Sequence, residues 1–146
     1  MSNTPLTKEE ITAMAKAWYN YLDVHAPMVD FIDMLSTEEL RMVFPEATLT
    51  GLASFEAWYQ GVIRIFFDEV HNVKSVESDI SGDTAVVKIV VQWEASKWAP
   101  PARYSDRIKL DAYQTWKVKR SLATGKPVIT EYTVDELKYH DGSARL

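Results

Sequence analysis

DTAVVKIVVQWEASKW, residues 83–98, is the stretch on which the reading of this chain turns. One parity is almost wholly apolar: Ala85, Val87, Ile89, Val91, Trp93 and Ala95. The other is mixed: Val86, Lys88, Val90, Gln92, Glu94 and Ser96. Strict alternation rich in β-branched residues is the mark of a half-buried strand. The run is longer than an ordinary strand, so a long, strongly bent central strand is expected. Such a strand needs a neighbour on each side and something apolar against its Ala85–Ala95 face.

The flanking sequence supplies the neighbours. Ser81-Gly82-Asp83 reads as a hairpin turn, preceded by a strand over 71–80. Its apolar positions Val73, Val76 and Ile80 are out of phase, and a bulge would reconcile them. On the other side, Ala99-Pro100-Pro101-Ala102 cannot sit in a central strand, because proline has no N–H to donate. Residues 105–119 alternate again, with Ile108, Leu110, Ala112, Gln114, Trp116 and Val118 inward. A turn at 123–126 leads to a last strand over 128–139.

The apolar cover comes from the first half of the chain. Residues 1–6 read as a loose arm. Thr7 and Glu10 make a capping box, and Ile11, Met14, Ala15, Trp18 and Leu22 form the stripe of an amphipathic helix. Pro27 ends it near His25. A short helix is expected over 28–35, and a helical turn over 37–40 capped by Ser36 and Glu39. Two short strands, RMVF and ATLT, flank Pro45. Gly51 marks a turn, and Ser54 is the expected cap of a third helix with the stripe Phe55, Trp58, Tyr59, Val62, Phe66 and Val70. Helices beside an antiparallel meander make an α+β fold. The expected form is a single domain over 1–146: a cone-shaped half-open barrel with the helices on the concave face of a long bent antiparallel sheet and a pocket between them.

Composition narrows the partners. The 146 residues are 47% hydrophobic and carry a net charge of −5, so wholesale attraction to nucleic acid or to an anionic membrane is not expected. There is no cysteine, which removes disulfides, thiolate metal sites and a thiol nucleophile. The three histidines have no ligand spacing, so no metal site is expected. MSNTPLTKEE lacks the basic and apolar regions of a signal peptide; the expectation is a cytoplasmic protein.

Five pieces in order carry a resemblance. They are Trp18-Tyr19-Asn20-Tyr21-Leu22-Asp23, residues 51–59, His71-Asn72-Val73, Gly82-Asp83-Thr84-Ala85, and Trp116-Lys117-Val118. Their order resembles the nuclear transport factor 2-like superfamily, and within it the SnoaL-like polyketide cyclases and related dehydratases. The resemblance implies a cone-shaped fold, frequent dimers and a pocket for an apolar small molecule. It implies an acid at the end of helix one and a histidine opening the strand after helix three, positions held here by Asp23 and His71. A tyrosine five residues before the acid is the third partner in the family. Trp18 stands there, and Tyr19, one helical turn before Asp23 and on its face, is the candidate replacement.

These residues suit acid–base chemistry without a cofactor. A carboxylate fixes an imidazole's tautomer and raises its basicity. Asp23 and His71 would remove a proton beside a carbonyl, with Tyr19 or Gln114 donating to the oxygen as charge develops. Trp18, Trp58, Tyr59, Phe66, Trp93 and Trp116 are candidate pocket walls, and Gln114 is an amide in an otherwise apolar strand face that needs a partner. Each aromatic has the plainer role of filling the core. The expectation is thus a dehydratase, cyclase or isomerase acting on an apolar carbonyl compound. The competing readings are a non-catalytic binding module of the same fold and a subunit of a larger assembly. A homodimer through the outward sheet face is also expected, because no helix remains to cover Val86, Lys88, Val90 and Gln92.

Overall fold

The computed structural model describes residues 4–146. Thr7 caps helix α1 (Lys8–Asp23): its hydroxyl accepts from the Glu10 N–H at 3.1 Å, and the Glu10 carboxylate accepts from the Thr7 N–H at 3.0 Å. The buried stripe is Ile11, Met14, Ala15, Trp18 and Tyr19. The chain leaves α1 through His25 at φ +50°, a left-handed turn that breaks the helix two residues before Pro27. Residues 1–3 of the expected loose arm lie outside the described residues, and the rest of the arm is not loose. Leu6 is buried and bonds Gly82 O, and the Arg120 guanidinium holds Thr4 O, Pro5 O and Glu10 together.

Helix α2 (Met28–Ile32) stops before Leu35, the end that the sequence suggested. The reason is tertiary. Met34 O accepts from Ile129 N and Ser36 N donates to Ile129 O, so the last strand takes this backbone. The same bond prevents the expected turn of helix over 37–40. Ser36 Oγ does accept from Glu38 and Glu39 N–H, but its own N–H is spent, and the Glu39 carboxylate turns to Lys119 instead.

Strands β1 (Arg41–Val43) and β2 (Thr48–Thr50) form the expected pair around Pro45. Helix α3 (Gly51–Ile65) starts earlier than a Ser54 cap would place it. Thr50 is the N-cap, and Gly51 takes φ +83° to turn strand into helix. It also ends earlier. Phe66 and Val70, which continue its apolar stripe in sequence, lie on strand β3 (Phe66–Ser81), because pairing with β4 (Thr84–Lys97) starts at Phe66↔Lys97. His71 therefore does not open a strand; it lies inside β3 opposite Trp93.

β4, β5 (Asp106–Arg120) and β6 (Pro127–Tyr139) form the meander, and the inward parities of β4 and β5 are those read from sequence. The register of β3 slips between Val73 and Ser75, where the phase change required a bulge, and again between Phe67 and Val70. Pro100 and Pro101 lie outside the ladders. The sheet order is β2-β1-β6-β5-β4-β3, with β1 parallel to β6 and the other pairs antiparallel. The sheet does not close: β2 and β3 are its edges. Its inner face and the three helices share one core, centred on Trp18, Phe31, Phe55, Tyr59 and Trp116.

Candidate functional site

The end of α1 and the start of β3 meet because both flank the same cavity wall. Asp23, the last residue of α1, uses both carboxylate oxygens on His71. Oδ2 accepts from the His71 backbone N–H at 3.0 Å, and Oδ1 lies 2.6 Å from the ring Nδ1. An aspartate can only accept, so Nδ1 carries the proton and Nε2 is the basic nitrogen. The backbone bond adds a second fixed point, so the carboxylate sets ring orientation as well as tautomer. The His71 side chain is 8% exposed. It lies between the Tyr19 ring, stacked at 5.2 Å, and Trp93 at 6.2 Å.

The cavity that His71 lines is about 150 Å³. Trp58, Phe66, Trp93 and Gln114, four of the residues singled out from sequence, line it too. Asp23 and Tyr19 do not; they stand behind the wall and act on it through His71 and Gln114. Trp18, Tyr59 and Trp116 are not lining residues either. Trp18 packs against Phe31, Phe55, Trp116 and Tyr132, and Tyr59 donates its hydroxyl to Ala26 O at 2.5 Å. All three are core, drawn inward by the large apolar area they bury. No residue of the 99–104 loop lines the cavity.

Gln114 is the amide that its strand face seemed unable to satisfy. Its Oε1 accepts from the Tyr19 hydroxyl at 2.7 Å and from the Trp116 indole at 3.1 Å. The amide NH₂ is what it can still offer, beside the Tyr132 hydroxyl. Burial drives the Tyr19 pKa well above its ordinary value, with Tyr132 adding to the rise. Burial likewise pushes Tyr132 up to about 12, against the opposing pull of the polar groups of Trp18, Gln114 and Tyr19 near its oxygen. Both phenols hold their protons at neutral pH, so here they are donors and not bases. The Trp18 indole N–H makes no well-formed hydrogen bond, although the Tyr132 oxygen is close enough to feel it.

Three polar lining residues escaped the sequence reading: Glu46, Glu69 and Tyr132. Glu69 stands two residues before His71 and so shares its side of the strand. That signal was hidden because the helical stripe of Phe66 and Val70 covered it. Glu69 Oε2 lies 2.6 Å from His25 Nε2, and Oε1 accepts from the Trp93 indole at 3.0 Å. Glu46 accepts from the Trp58 indole at 3.2 Å. Tyr132 follows an irregularity in the β5–β6 register between Lys117 and Val118, which removes simple alternation as a guide. Among the described residues no cluster of side chains is arranged to hold a metal ion.

No protein-family model and no curated protein sequence matches the chain. Solved structures do. A candidate aromatic ring hydroxylase from Novosphingobium aromaticivorans superposes with a TM-score of 0.77 at 14% identity, over 90% of this chain and 92% of that one. A nuclear transport factor 2-like superfamily protein from Salmonella enterica superposes with a TM-score of 0.73 at 14% identity, over 94% and 92%. A candidate dehydratase of the NTF2-like family from Streptomyces avermitilis gives 0.71 at 13% identity, over 86% and 92%. At these identities the likeness is one of architecture, and it spans nearly the whole chain: the protein has the α+β, cone-like nuclear transport factor 2-like fold.

Proposed function

We propose that this protein is a cofactor-independent lyase or isomerase of the SnoaL-like type, acting on a small, mainly apolar compound that carries a carbonyl group. The observation that carries the reading is the Asp23–His71 pair. Nδ1 is tied to the carboxylate at 2.6 Å, the ring lines an apolar cavity, and among the described residues Nε2 makes no hydrogen bond. That is an imidazole oriented as a base and left free to act.

In the proposed step Nε2 takes the proton from the carbon beside the carbonyl. The C–H electrons form the new C–C double bond, and charge moves onto the carbonyl oxygen. The Gln114 NH₂ and the Tyr132 hydroxyl are the donors on hand for that oxygen. Return of the proton to a leaving hydroxyl completes a dehydration with loss of water; return to another carbon completes an isomerisation. Tyr19 is a positioning residue in this scheme, since its own proton is committed to Gln114.

The test needs no knowledge of the natural substrate. Small cyclic and aryl ketones in D₂O report proton abstraction as α-deuteration by NMR. His71→Ala should lower the enzymatic exchange rate about 10²-fold or more with the fold intact by circular dichroism. Asp23→Asn should cost less. Exchange that does not depend on His71 would sink the proposal. A second reading, a non-catalytic binding module, draws support from one observation: Tyr19, Trp116 and Gln114 satisfy one another, which leaves few polar groups for chemistry. It predicts a small molecule retained in native mass spectrometry and no exchange.

A further inference from the structure

The charges on the cavity wall are one-sided. Glu46 and Glu69 line it, and no lysine or arginine does among the described residues. His71 is the one imidazole on the wall, and the Asp23 carboxylate lies 2.6 Å from its Nδ1. The Glu69 side chain is only 10% exposed, so water screens it poorly.

Each carboxylate is also joined to an indole. Glu46 accepts from Trp58 Nε1 and Glu69 from Trp93 Nε1. A negative charge on the N–H edge pushes electron density toward the ring face, and the ring face is what attracts a cation. Phe44 stacks on Trp58 at 4.1 Å, and Phe66 meets Trp93 edge-on at 5.1 Å, so both indoles are held in place. His25 occupies one oxygen of Glu69 from outside the lining. The other oxygen remains on the Trp93 side. A cavity of about 150 Å³ matches the size that holds one benzene ring.

We propose that this cavity selects a ligand with one small ring and a positively charged nitrogen, the cation seated against the Trp58 and Trp93 faces near Glu69. An anion such as a carboxylate or phosphate would meet two like charges and no lysine or arginine among the described residues. The inference rests on the reading of the cavity as a ligand site, and not on catalysis at His71. A substrate with both a basic nitrogen and a carbonyl would satisfy both.

Three single-ring probes of similar size test it at pH 8: benzylammonium, benzyl alcohol and benzoate. The readout is the shift of the Trp58 and Trp93 indole N–H signals in ¹H–¹⁵N NMR, which also locates the probe. Benzylammonium should bind about tenfold or more tighter than benzoate, with benzyl alcohol between them. Glu69→Gln should weaken benzylammonium about tenfold and leave benzyl alcohol within about twofold, whereas a purely structural role for Glu69 would weaken both alike. Glu46→Gln, at the exposed rim, provides a second variant with the same direction and a smaller effect. Benzoate binding as tightly as benzylammonium, or no probe shifting these two signals, overturns the proposal. Absence of ketone exchange in the unsubstituted protein, with this order of probe affinities intact, would fault the catalytic reading alone.

Discussion

Tyr19 has one proton to give and gives it to Gln114, behind the wall that His71 presents. Its ring stacks on the imidazole while its hydroxyl fixes the amide. One residue thus sets two lining groups without touching the cavity. Tyr19→Phe keeps the stack and removes the bond. It should cost about 1–2 kcal/mol of stability, the range for a buried acceptor that loses one of its donors, read as a lower urea midpoint with unchanged slope. If the midpoint does not move, water or Tyr132 already satisfies Gln114. Trp18 shows the opposite outcome for a neighbour on the same helix. Its ring fills the core, and its N–H contributes no well-formed bond.

At the scale of elements, β3 decides the site. The strand begins where the helical stripe suggests a helix and slips register twice, and Glu69 and His71, two residues apart, both face the cavity. The first slip is built on Asp68 at φ +51°, whose carbonyl accepts from the Arg107 guanidinium at 2.7 Å. That left-handed backbone costs a β-branched residue about 1–2 kcal/mol. Asp68→Val should therefore destabilise the protein by roughly that amount, while Asp68→Gly should be close to neutral or mildly stabilising. Thermal unfolding of the two variants separates them, and equal behaviour would show that the bulge does not depend on this φ. If the strained turn also sets the His71 ring, Asp68→Val should slow ketone exchange more than its loss of stability explains.

For the whole molecule, charge state and association are the quantities to measure. Burial, with Glu69 and Asp30 nearby, pushes Tyr59 up to about 12, as burial does Tyr132. Above pH 10 the unfolded chain gives up these protons before the folded one does, so the stability they contribute is whole below pH 10 and falls away toward 12. Urea midpoints should decline in that window, and a flat profile through it would mean that neither phenol is held as tightly as its burial demands. The outward sheet face remains open among the described residues, with Val86 and Val70 at 39% and 47% exposed beside Lys88 and Arg107. We propose a homodimer through this face. Light scattering should give twice the chain mass at micromolar concentration, and Val86→Lys should shift it toward one. A monomer at every concentration would exclude it.

Local chemistry fixed what period and punctuation can carry. The alternation of residues 83–98 decided strand and face. The Thr7–Glu10 box decided where α1 begins, Pro100-Pro101 where the ladder stops, and the phase change after Val73 where β3 must bulge. Asp23 and His71 were legible as a pair only through the order of motifs, since nothing local joins residues 48 apart in the chain. What the sequence could not decide was every case in which a distant strand competes for the same backbone. β6 takes the N–H of Ser36 and so cancels a capping box; β4 takes residues 66–70 and so shortens α3. With those five residues in a strand, Glu69 becomes a wall of the cavity beside His71. Propensity counts only near neighbours along the chain, whereas a ladder hydrogen bond is made with whatever the fold brings alongside.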